Sequence, residues 1–117
     1  PGIPQVWYLD VFAGKNDYAA ADAAGEGGHK EINRTTLSLE AIEEGLKNEV
    51  VTKQLSMIRM RNTSPAFLGT PVLRADSPEQ LHITWVYQND HATLIANLQT
   101  STFSITYTVD GEERVFC

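Results

Sequence analysis

A chain of 117 residues, 42% of them hydrophobic, can build one modest globular unit and is too short for a two-domain enzyme. Its 9 Lys and Arg are outnumbered by 15 Asp and Glu, for a formal net charge of -6, so it carries no basic footprint for a phosphate backbone or an anionic lipid surface. Nucleic acid and membrane are therefore excluded as partners, and one cysteine, Cys117, permits no internal disulfide and favours a reducing, cytoplasmic setting.

The chain begins at Pro1-Gly2-Ile3-Pro4-Gln5 without methionine and runs straight into Val6-Trp7-Tyr8-Leu9, so it reads as a piece of something larger. No apolar run approaches the roughly 20 residues that span a bilayer, and no basic stretch followed by an apolar core opens the chain. Val6 to Leu9 has little alternation, which predicts a strand buried on both faces of a parallel sheet. From Asp10 to Thr36 the chain is rich in Gly and Ala and longer than ordinary connections, the mark of a functional loop. Within it the alanines predict a short helix over 17–24.

Ser38 is placed to cap a short helix over 39–46, with Leu37 and Ile42 as its hydrophobic staple. Asn48 is placed to cap a longer helix in which Val51, Leu55, Ile58 and Asn62 follow one face, and these apolar positions are expected to pack on a sheet. Pro65 bounds it. Beyond Gly69 the texture becomes strands and turns. Leu81–Tyr87, His91–Leu98, Phe103–Val109 and Arg114–Phe116 are rich in β-branched and aromatic residues, with turn signals at Gln88-Asn89-Asp90 and Asp110-Gly111.

The order of elements is buried strand, long glycine-rich loop, helix, antiparallel sheet. Pro1-Gly2-Ile3-Pro4-Gln5-Val6-Trp7-Tyr8, Ala13-Gly14-Lys15-Asn16-Asp17, Glu31-Ile32-Asn33-Arg34 and Arg61-Asn62-Thr63-Ser64-Pro65-Ala66-Phe67 resemble, in that order, the end of the barrel of sucrose phosphorylases in glycoside hydrolase family 13. The resemblance implies an α+β piece: the last strand, loop and helix of a (β/α)8 barrel over 1–68, then a small C-terminal antiparallel β domain over 69–117. It implies a parent that cleaves an α-glucoside with phosphate and gives α-glucose 1-phosphate with retention. The parent's catalytic carboxylates would lie upstream, so no catalytic residue is assigned and the isolated piece is expected to be inactive. The missing barrel portion is the expected partner, with a homodimer left open.

Arg34 matches the arginine of the family's Ile-Asn-Arg motif, which implies a substrate-binding role at the barrel mouth. By residue type alone a single loop arginine is a solvated charge; its fork of donors suits two sugar oxygens or a carboxylate. The family reads Gly-Arg-Asp-Ile-Asn-Arg-His-Tyr-Tyr where this chain reads Gly28-His29-Lys30-Glu31-Ile32-Asn33-Arg34-Thr35-Thr36. That departure points to a smaller or charged acceptor, as in glucosylglycerate phosphorylases, and makes His29 and Lys30 candidates for acceptor or phosphate contact. As an exposed pair in a loop, they would equally be solvated.

No cofactor is implied. Gly25-Glu26-Gly27-Gly28 lacks the Gly-Lys-Ser/Thr ending of a phosphate-cradling loop. Asp17, Asp22 and Glu26 lack calcium-loop spacing, and His29, His82 and His91 are too dispersed for a metal. Trp7 and Trp85 read as core residues. The rival reading is a non-catalytic carbohydrate-binding or structural β module, which would need aromatics exposed on one sheet face.

Overall fold

The computed structural model describes residues 3–116, so Pro1 and Gly2 of the first motif and Cys117 lie outside the described residues. The chain divides into two compact units, Ile3–Ser56 and the chain from Met57 onward, and the division falls inside one helix.

The first unit carries three short helices, α1 (Tyr8–Val11), α2 (Tyr18–Ala23) and α3 (Leu39–Gly45), and the start of α4 (Glu49–Thr63). Caps decide where they begin. Asp17 Oδ1 accepts from the Ala20 N–H at 2.9 Å, and Ser38 Oγ from the Ala41 N–H at 3.2 Å. Asn48 Oδ1 accepts from the Val50 N–H at 2.9 Å, as the cap position ahead of α4 requires.

Two expectations fail here. No strand forms over Val6–Leu9: Trp7 is extended (φ -78°, ψ 141°), and Tyr8 begins a helical turn instead. A strand exists only through ladder partners, and among the described residues no segment pairs with this one; the first strand begins at Val72. The second concerns α4. Val51 and Met60 are buried, whereas Leu55 is 36% exposed. Val51 and Met60 stand nine positions apart, about half a turn out of phase at 3.6 residues per turn, so no single apolar stripe runs the length of the helix.

In the second unit, five strands form an antiparallel meander: β1 (Val72–Ser77), β2 (Gln80–Tyr87), β3 (Asp90–Asn97), β4 (Thr102–Val109) and β5 (Glu112–Phe116). Register follows alternation. Ile83 pairs with Leu94 and Leu94 with Ile105; Trp85 pairs with Ala92 and Ala92 with Tyr107, so one apolar face runs across the sheet. The opposite face carries Thr84, Thr93 and Thr106 in one row. Val109 pairs with Glu112 across Asp110 and Gly111, both at positive φ (54° and 79°), the paired left-handed conformation of a type I′ hairpin.

A 3-10 turn at Pro65–Leu68 contacts β2, β3 and β4, and buries Ala66. Phe67 packs on Trp85 with ring centroids 5.0 Å apart. Ser64 Oγ–H donates to the Thr108 carbonyl at 2.9 Å, and Thr108 Oγ1 in turn accepts from the His91 N–H at 2.9 Å and donates to Asp90 Oδ1 at 2.8 Å. Ser64, Thr108, Ala92 and Ile105 are all buried, and this polar chain links the start of the turn to β3 and β4.

Candidate functional site

The segment between α1 and α3 holds all three candidate binding residues. Its shape depends on close approach at Gly28, the buried start of a 3-10 turn over Gly28–Glu31 that packs on α2: any Cβ there would collide with the Ala21 carbonyl. The two arms of the loop are joined by the Asp17 N–H, which donates to the Ile32 carbonyl at 2.7 Å.

His29 and Lys30 lie in that turn and are exposed. His29 borders an open groove with Tyr18, Asp22, Gly25 and Ile32, and Lys30 is not part of its wall. Arg34 follows the turn, with its side chain 52% exposed. One guanidinium nitrogen, Nη1, is 3.4 Å from Glu31 Oε1. An exposed pair of this kind contributes about 0–1 kcal/mol, and it leaves further donors of the fork for a ligand.

The backbone around Arg34 is held from a distance. Trp7 Nε1–H donates to the Asn33 carbonyl at 2.7 Å, and Tyr8 O–H donates to the Thr35 carbonyl at 2.8 Å. The Arg34 N–H donates to the Glu31 carbonyl at 3.1 Å. The rings of Trp7 and Tyr8 lie 5.1 Å apart, and each residue is more than a third exposed, which corrects the expectation that Trp7 is a core residue. Their polar handles are used, as buried or half-buried Trp and Tyr generally require. Thr35 Oγ1 is buried without a hydrogen-bond partner among the described residues, so the side chain of Thr35 does not anchor this segment. Gln54 Nε2 reaches the carbonyls of Asp10 and Val11, at 3.2 and 3.4 Å, and ties α1 to α4 within the same unit.

The remaining candidates lie apart. His82 is 3.9 Å from Asp76, and His91 is 3.4 Å from Glu113, both pairs on the sheet. No group of three or more His, Cys, Asp or Glu is placed to hold a metal ion among the described residues. Trp85 is engaged with Phe67, so it does not offer a free aromatic platform for a sugar. Among the described residues no helix is long and apolar enough to cross a membrane.

No protein-family model matches the chain. Along nearly its whole length, however, the chain is homologous to glycoside phosphorylases of the sucrose phosphorylase kind, and the match falls in the C-terminal part of those enzymes. It is 50% identical over 115 residues to the sucrose 6(F)-phosphate phosphorylase of Ilumatobacter coccineus, covering 98% of this chain and 22% of that protein. It is 34% identical to the glucosylglycerol phosphorylase of Marinobacter adhaerens, covering 97% of this chain and 24% of that protein. The crystal structure of sucrose 6F-phosphate phosphorylase from Thermoanaerobacter thermosaccharolyticum superposes with a TM-score of 0.86 at 36% identity, over 99% of this chain and 23% of that one. The chain thus spans under a quarter of the length of these relatives.

Proposed function

We propose that these residues form the C-terminal portion of a retaining α-glucoside phosphorylase, one that transfers a glucosyl unit to phosphate and releases α-glucose 1-phosphate. The observation that carries this reading is the 50% identity to a sucrose 6(F)-phosphate phosphorylase over 98% of the chain. Retention needs two carboxyl groups about 5–5.5 Å apart, a nucleophile and an acid that then serves as base. In this reading they belong to upstream barrel strands, residues 1–68 belong to the end of the barrel, and the segment alone is inactive.

Arg34 then holds the glucosyl unit, because its fork retains donors beyond the Glu31 contact. His29 and Lys30 meet the acceptor or phosphate, and a charged acceptor fits two exposed nitrogen-bearing residues in one turn. A reducing, cytoplasmic setting fits a chain with one cysteine.

The test uses the enzyme that carries this segment. Incubated with phosphate and, separately, sucrose, sucrose 6F-phosphate and glucosylglycerol, it should release α-glucose 1-phosphate from at least one of them. Release of free glucose alone would make it a hydrolase. Arg34→Lys keeps the charge but loses the fork, and should cost about 1.5–3 kcal/mol of transition-state stabilisation, on the order of 10- to 150-fold in kcat/KM. A lysine variant within about twofold of the parent, well inside the effect of one charge-assisted bond, would leave Arg34 a solvated loop charge.

A further inference from the structure

We infer that Trp7 and Tyr8 are positioning residues for Arg34, an inference that rests on the substrate role proposed for that arginine. The geometry is specific to the peptide groups that flank it. The peptide between Asn33 and Arg34 is held at both ends: Trp7 Nε1–H donates to its carbonyl, and its N–H donates to the Glu31 carbonyl. Two residues on, the Thr35 carbonyl accepts from Tyr8 O–H. Between these fixed points only a few backbone dihedrals remain free to move the Arg34 Cα–Cβ bond.

Apart from that one local bond, Arg34 N–H to the Glu31 carbonyl, the nearby side chains add little. The Thr35 hydroxyl has no partner among the described residues, and the contact from the Arg34 guanidinium to Glu31 is exposed and long at 3.4 Å. Both tethers come from adjacent residues 26 and 27 positions upstream, so one dipeptide sets the place of the whole Asn33–Thr35 run. A long, flexible side chain that must meet a sugar oxygen in one geometry gains from a backbone held in that way, since a shift of about 1 Å in a contact group can cost 10²-fold.

Trp7→Phe and Tyr8→Phe each delete one donor and keep a ring. They are made in the enzyme that carries this segment, singly and together with Arg34→Ala. Each should lower kcat/KM about threefold to tenfold when Arg34 is present, the range one neutral hydrogen bond supports. The loss should fall mainly on kcat and leave the melting temperature unchanged. In the Arg34→Ala background the same substitutions should change kcat/KM by less than about twofold, because residues that act through a shared partner are not additive.

Equal losses in both backgrounds, or no loss with Arg34 present, would overturn the inference. Should Trp7→Phe fail to fold, Tyr8→Phe alone decides, since it removes a single oxygen from a residue that is 39% exposed. An Arg34→Ala enzyme as active as the parent is a different result: it removes the substrate role of Arg34 itself, and the inference with it.

Discussion

In the sheet, backbone bonds repeat residue after residue, and β2 meets β3 at every position from Gln80–Asn97 to Tyr87–Asp90. In Ile3–Ser56 there is no ladder among the described residues, and long-range bonds come from the Trp7, Tyr8 and Gln54 side chains and from the Asp17 backbone N–H. The contrast is one of redundancy. A ladder with a packed face shares the consequence of any one lost bond with its neighbours, whereas a loop held by single side-chain donors has nothing adjacent to take over. Damage to the sheet should therefore be read in global unfolding, and damage to the loop unit in local geometry.

The sharpest way to break the comparison is at Ile105, buried at 6% exposure in the middle of β4. Ile105→Ala should cost about 2–5 kcal/mol in urea unfolding; a value near that of a surface substitution would mean the apolar face is not the core of the sheet. Thr108→Val comes next. It keeps the shape but leaves the His91 N–H without its acceptor, so a loss of about 1–3 kcal/mol is expected. Were the valine as stable as threonine, the ladder would have absorbed even a part-buried orphan donor.

The smallest effect belongs to the other unit. Ser38→Ala removes the cap of α3 and should cost about 1 kcal/mol or less of that helix at an exposed end, read by exchange protection of its amides. It should also raise the titration midpoint of Glu40, whose carboxyl is held below its ordinary value by its own backbone N–H and then by the Ser38 hydroxyl. A lowered folded-state value stabilises above the unfolded one and is lost as pH falls through the folded one, so the serine's advantage should shrink in acid. A Glu40 midpoint that does not move in a carbon-detected titration would separate the two groups.

Legibility in the sequence differs between the units for the same reason. Four of the five strands announce themselves by β-branched and aromatic content and by turn residues at Gln88-Asn89 and Asp110-Gly111. β1 does not, because Leu73-Arg74-Ala75-Asp76 is a nearly fully exposed edge with an irregular register before Ser77. Ser38 and Asn48 mark their helices because capping is a local, side-chain-specific event, whereas the Asp17 cap of α2 emerges only in the structure. Arg34, His29 and Lys30 were visible only through resemblance to a family motif. The tethers from Trp7 and Tyr8 were not visible at all, since a side chain that bonds a carbonyl 26 or 27 residues away leaves no periodic trace. The adjacent pair of ring donors was the one available hint.

The meander has a consequence in time. Every strand pairs with its neighbour in sequence, through connections as short as Pro78-Glu79, Gln88-Asn89 and Asp110-Gly111. Each pairing closes a small loop at little entropic cost, and no strand waits for a distant one to arrive. As the polypeptide is synthesised from β1 to β5, each new strand meets a finished template directly behind it, so the sheet can grow one hairpin at a time. Its folding should be fast for an all-antiparallel structure, with register chosen by the hairpin turns.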